Sequence, residues 1–250
     1  MKIITFILTL FAPIYIFAQD IPQSIKENAK MMDALRRNNS VIQLQIINSS
    51  GEQVTGSAFV TDVFDTKKGL VVNGLTAGHV VNASVRSFVV LNGKDDDKKA
   101  MISVNPSSFQ IHKKFNPKEF NQYDVARFSF VLTSKEQAEL IKAQFVIPVA
   151  LEVAKDPLKK EGVPVIVAGY PLGASPLVGV SSAGRLRSNE MISVICASDD
   201  ISPLIPGMSG GPLLDSQKRV IGINSYTDKK IGFCVPVHNS SVKEILERKK

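Results

Sequence analysis

The chain of 250 residues has no Trp, two Cys and three His. Two cysteines are too few for a disulfide scaffold. Cys196 and Cys234 each lie in a Val/Ile-rich run, which reads as two buried thiols; a single bridge stays open to them if their strands are neighbours. His79, His112 and His238 are far apart, and no Cys or His pair has metal-ligand spacing, so neither a metal site nor a cofactor is indicated. Beyond the N-terminus no segment is apolar for the roughly 20 residues that span a bilayer. The 30 Lys and Arg outnumber the 23 Asp and Glu, for a formal charge of +7, yet they are scattered. Without a dense basic block and interleaved aromatics, nucleic-acid binding is disfavoured. A composition 44% hydrophobic and 21% charged also excludes disordered, collagen-like and coiled-coil chains.

The N-terminus has the parts of a secretory signal peptide over residues 1–18. Lys2 precedes an apolar run at residues 3–17, and Ile16 and Ala18 stand where a peptidase would read them before a cut at Gln19. The alternative, an uncleaved anchor, is short for a span and contains Pro13. Cleavage lowers the formal charge of +7 by the one of Lys2, to +6. The expected product is exported, periplasmic or secreted, and not lipid-anchored, since no Cys adjoins the cut.

A helical lead-in over 19–39 follows, with Ile25, Ala29, Met32 and Leu35 at helical spacing. Strands are expected at 41–47, 54–63 (with a bend or bulge at Gly56), 70–73, 87–91, 100–104 and 123–132. The charged run at 95–99 reads as a hairpin tip. A linker at 133–147 begins with helix-forming composition. Strands resume at 164–170, 179–187, 191–197, 212–215, 220–226 and 231–237. The chain ends in a helix with a capping box from Ser241 to Glu244, an apolar stripe of Val242, Ile245 and Leu246, and basic residues at its C-terminus. The pattern predicts an all-β protein of two packed barrels or a large sandwich, divided as 40–132 and 148–250.

Three segments carry chemistry. In Gly207-Met208-Ser209-Gly210-Gly211-Pro212 a hydroxyl stands in a tight glycine loop, where the N–H groups of Gly207 and Ser209 can converge on an oxyanion. Thr76-Ala77-Gly78-His79 puts an imidazole among small residues at a strand end, and Asp124 heads the strand at Val125-Ala126. A serine hydroxyl needs a neutral imidazole to take its proton, and the imidazole needs a carboxylate to fix its tautomer. No Lys-Ser or Lys-Thr follows the glycines, which argues against a phosphate loop.

These motifs, in the order His, Asp, Ser, resemble the chymotrypsin-like (trypsin-fold) serine peptidases. Segments 167–173, 220–225 and 232–236 look most like the bacterial exported HtrA-related kind, without its PDZ module. The resemblance implies two six-stranded antiparallel β-barrels with the active site between them. It implies a serine endopeptidase acting on proteins or peptides, with His79 as base and acid, Asp124 as its orienting partner and Ser209 as nucleophile. Gly207 and Ser209 would donate to the oxyanion, and Ser225, Tyr226 and Thr227 would pair with an extended substrate. Met208 stands where digestive members carry the Asp that pairs with a new N-terminus, so that route of activation is not expected. Pro203, six residues before Ser209, and no acid at that place, points to cleavage after an uncharged residue. Asp199 and Asp200 read as loop residues, and His112 and His238 as surface or strand-end residues. A catalytically silent binding protein of this fold is the rival reading. An α/β-hydrolase is disfavoured by the triad order and the lack of strand–helix alternation.

Overall fold

Alternating Val, Ile and Leu in the first half form seven antiparallel strands: β1 Val41–Asn48, β2 Gln53–Thr66, β3 Gly69–Thr76, β4 Ser84–Asn92, β5 Lys99–Val104, β6 Phe109–Ile111 and β7 Ala126–Thr133. Their spatial order is β5-β4-β1-β2-β3-β7-β6. The computed structural model describes residues 23–95, 98–119, 121–133, 143–156, 162–173, 177–186, 190–196 and 202–247. The signal peptide, the helical composition after Thr133, the middle of the 95–99 run, Asp199, Asp200 and the basic C-terminal residues lie outside them, wholly or nearly so. Side chains alternate across a strand, so Ile42, Leu44 and Ile46 of β1 all reach one core, where they meet Val60, Val72, Ala126 and Phe128.

The second half supplies β8 Val163–Gly169, β9 Val178–Leu186, β10 Ile192–Cys196, β11 Pro212–Leu214, β12 Val220–Asp228 and β13 Ile231–Pro236. These close into a barrel in the order β10-β13-β12-β11-β8-β9. Val165, Val167, Ile192, Val194, Leu213 and Cys234 fill it. A third cluster joins the two halves through Phe59, Leu75 and Val125 on one side and Ala168, Tyr170, Leu214 and Ile223 on the other. Helix α1 Gln23–Arg37 adds Met31, Met32 and Leu35 to it, and the C-terminal helix α3 Ser240–Glu247 adds Val242 and Ile245. Each such side chain removed from water stabilises the fold by about 1.5–3 kcal/mol, so both helices seal the junction.

Several expectations change. The first unit has seven strands where six were expected, because the three-residue β6 pairs along β7 and is too short to show alternation. Among the described residues no pairing joins its outer strands β5 and β6, so it curls like a barrel but stays open in hydrogen bonding. Gly56 is not a bulge; the β2 irregularity lies between Val60 and Asp62, and Gly56 gives the room in which the Val80 side chain packs. Ala29 is exposed, and Met31 takes the place expected of it on the buried face of α1. On α3, Leu246 is exposed. The expected capping box does not form. Asn239 caps α3 by accepting from Ser241 N at 3.2 Å, Ser241 Oγ donates to Gln122 O at 2.6 Å, and Glu244 faces His112 at 3.3 Å.

The cysteines are free and buried. Their strands are neighbours, but Cys234 is opposite Ile192, four residues from Cys196. That is about 13 Å along a strand, beyond the reach of a disulfide. Burial pushes the Cys234 thiol far above its ordinary value.

Candidate active site

The end of β3 and the start of β7 meet, with Thr76 opposite Ala126. The chain leaving β3 makes one helical turn, α2 Gly78–Val81, which carries His79. The chain entering β7 passes through a turn at 121–125, closed by Asp124 N donating to Asn121 O at 3.0 Å and Tyr123 N to Asn121 Oδ1 at 2.9 Å. The strand therefore starts at Ala126, three residues later than the pattern suggests, and Asp124 lies in the turn. This juxtaposition brings His79 N to Asp124 Oδ1 at 2.8 Å and His79 Nδ1 to Asp124 Oδ2 at 2.8 Å.

Asp124 is fully buried, while the His79 side chain is 30% exposed. A carboxylate only accepts, so Nδ1 carries the proton and Nε2 is left as the basic nitrogen. Ser225 Oγ also donates to Asp124 Oδ2. Burial alone would push the Asp124 carboxyl up, and the His79 and Ser225 hydrogen bonds outweigh it, holding the group below its ordinary value of 3.8.

Ser209 precedes β11. Its Oγ donates to Ser225 O at 3.0 Å, so Ser225 holds Asp124 with its hydroxyl and Ser209 with its carbonyl. A hydroxyl has one proton to give; reaching an imidazole from this position requires rotation about χ1. The loop around Ser209 is tied at nearly every peptide. Pro206 O accepts from Leu172 N at 2.6 Å, Met208 N donates to Ile205 O at 3.0 Å, Gly210 N to Asn224 O at 2.7 Å and Gly211 N to Met208 O at 3.1 Å. Gly207 N–H and Ser209 N–H have no partner among the described residues. The planar peptide turns Gly207 N–H away from Leu172, because its carbonyl side faces that residue. Gly207 and Gly210 have φ of +95° and +85°, the region where a side chain is strained.

Met208 is fully buried in the apolar cluster with Val165, Val167 and Leu213, so it makes an apolar contact and no ion pair. On the far side of the loop, β12 pairs with β11 only as far as Ile223. Beyond it, Tyr226 and Thr227 pair with Phe233 and Gly232 of β13 alone, with a register shift at Ser225. The β12 edge continuing past β11 toward Ser209 carries no strand among the described residues. Tyr226 stacks on Phe233 at 4.7 Å between ring centroids.

Two contributors escaped the sequence reading. Ser225 was expected only along a substrate edge, yet it joins Asp124 to Ser209. Asn224 is buried and spans the loop, with Nδ2 donating to Ala168 O at 2.8 Å and Met208 O at 3.3 Å. Neither has a local signature. His112 follows β6 at the strand end, as expected, but it is buried and not at the surface: it stacks on Tyr123 at 5.0 Å, and Lys114 N donates to its Nδ1 at 3.2 Å.

Two antiparallel β units with a histidine, a buried aspartate and a loop serine at their junction define the class of chymotrypsin-like peptidases. The family model for trypsin matches residues 46–243, and the chain belongs to that family; it is a serine endopeptidase. Among solved structures it is similar to Rv3671c protease from M. tuberculosis in its active form, at 19% identity over 90% of this chain and 86% of that one, with a TM-score of 0.57. It is similar to the serine endoprotease from Yersinia pestis at 17% identity over 92% of this chain and 67% of that one, also with a TM-score of 0.57. The HtrA-type protease AlgW with tripeptide shares 20% identity over 87% of this chain and 61% of its own, with a TM-score of 0.54. At these identities the likeness is one of fold. No curated protein matches the chain.

Proposed function

We propose that this peptidase is exported and cleaves peptide bonds through an acyl-enzyme on Ser209, with His79 as general base and acid and Asp124 as its orienting partner. Ser209 Oγ leaves the Ser225 carbonyl, passes its proton to His79 Nε2 and attacks the substrate carbonyl carbon. The resulting oxyanion lies against the N–H groups of Gly207 and Ser209, and the Asp124 carboxylate stabilises the imidazolium. His79 returns the proton to the leaving amine, and a water activated by the same nitrogen then releases the acid from Ser209. An extended substrate adds as a strand along Ser225, Tyr226 and Thr227, where β12 extends beyond β11.

The observation that carries the reading is the buried Asp124 carboxylate, bonded to His79 and to the Ser225 that holds Ser209, beside two unpartnered N–H groups. Apolar Val194, Leu204 and Pro203 lie against Gly232, the partner of Thr227 on the proposed substrate edge, which supports cleavage after an uncharged residue. Export rests on the composition of residues 1–18; the N-terminal sequence of secreted or periplasmic product is expected to begin at Gln19.

A fluorophosphonate probe is expected to label the wild-type protein at Ser209 and to leave Ser209→Ala unlabelled. Folded wild-type protein that takes no label sinks the proposal in favour of a silent binding protein. Cleavage-site profiling of a peptide library then reads the residue preferred before the cut.

A further inference from the structure

Ser57 belongs to β2 of the first unit, yet it makes two hydrogen bonds to the loop that carries Ser209 in the second and a third to Tyr170 beside it. Its N–H donates to Ser209 O at 2.8 Å. Its hydroxyl donates to Gly207 O at 2.8 Å and accepts from Tyr170 N at 2.9 Å. Its own carbonyl accepts from Thr76 Oγ1 at 2.7 Å, three residues before His79. The residue is fully buried, so water offers these groups no substitute.

The two carbonyls that Ser57 holds belong to the 207–208 and 209–210 peptides. These are the units that directly follow the two unpartnered N–H groups. A peptide is planar and turns as one body, and Gly207, with φ of +95°, is a glycine pivot in the loop. Leu172 N holds the peptide before that pivot through Pro206 O at 2.6 Å, and Ser57 Oγ holds the one after it. Tyr170, which the same hydroxyl engages, is itself fixed to the first unit by its phenol donating to Val41 O at 3.1 Å.

We infer that Ser57 is a positioning residue for the oxyanion donors: its hydroxyl clamps the Gly207 carbonyl and keeps the Gly207 N–H aimed beside that of Ser209. The inference rests on the acyl-enzyme reading above. A donor is effective because it is fixed before charge develops, so the clamp acts on the chemical step and leaves substrate pairing on β12 untouched.

The test uses Ser57→Ala with a peptide substrate taken from the cleavage profile, and active sites counted with the fluorophosphonate. Removal of an oxyanion donor itself costs about 10²–10³ in kcat; loss of its support is expected to cost roughly 10-fold or more in kcat and in the phosphonylation rate, with KM within about twofold. Tyr170→Phe, which loses a bond between the units but none to the loop, is expected to lower Tm while kcat per labelled site stays at the wild-type level. If Ser57→Ala fails to fold, Ser57→Thr and Ser57→Val are compared, being alike in bulk and differing in the hydroxyl; the Thr variant is expected to be the faster by a similar factor. A Ser57 variant lacking the hydroxyl that has lower Tm but wild-type kcat per labelled site overturns the clamp. Folded wild-type protein that takes no label overturns the peptidase reading itself, and the clamp with it.

Discussion

Asp124 gathers three hydrogen bonds from His79 and Ser225 in one buried carboxylate, and its replacement separates geometry from charge. In Asp124→Asn an amide of nearly the same shape has only one oxygen to accept the two His79 hydrogens and the Ser225 hydroxyl. The imidazole then takes the wrong tautomer, and kcat is expected to fall by about 10⁴ with the circular dichroism spectrum retained. The same residue gives a pH dependence of stability. Its folded value lies below the ordinary 3.8, so the unfolded chain binds the proton first. The stabilisation from the ionised group is complete above the unfolded value and is lost as pH falls through the folded one. Urea unfolding at a series of pH values is expected to show the wild-type advantage over Asp124→Asn shrinking below about pH 4. A stability difference that does not change between pH 7 and pH 3 contradicts the assignment of that bond network to the ionised form.

Among the elements, the two terminal helices do more than close the chain. α3 belongs to the second half in sequence, yet Ser241 Oγ donates to Gln122 O at 2.6 Å and Asn239 Nδ2 to Gln122 Oε1 at 2.8 Å, in the turn that holds Asp124. Its Ile245 is fully buried in the cluster between the units. Ile245→Ala leaves a cavity there and is expected to cost about 2–5 kcal/mol by urea unfolding. Leu246→Ala on the exposed side of the same helix is expected to change stability by no more than about 0.5 kcal/mol. Similar losses from the two would place the buried face of α3 elsewhere. The reading of α3 from sequence found the helix and two of its three apolar contacts, but put the cap at Ser241. Asn239 takes that role because the Ser241 side chain is drawn away to Gln122, a partner 119 residues distant.

At the scale of the whole molecule, no disulfide ties the two units together among the described residues; the inter-unit cluster and the buried polar contacts of Ser57 and Ser225 hold them against each other. Cys196 and Cys234 are expected to stay reduced, so a reducing agent should leave Tm unchanged, and Cys234 should resist maleimide until the protein unfolds. A mass two hydrogens short of the dithiol form counts against this. Apolar runs bounded by turn residues were enough to find twelve of the strands, and small-residue punctuation marked the segments holding His79, Asp124 and Ser209, because both signals are local. The three-residue β6 was beyond reach, since it has neither a period nor the glycine loop that marks the equally short β11. What the sequence determined by itself was the all-β class, the family and three candidate residues. Only the tertiary structure decided that Ser225 joins Asp124 to Ser209, that Ser57 holds the loop from the other unit and that neighbouring strands keep the cysteines apart. Each of these depends on strand register and on contacts between units, where one residue of slip changes every partner and no local pattern records the outcome.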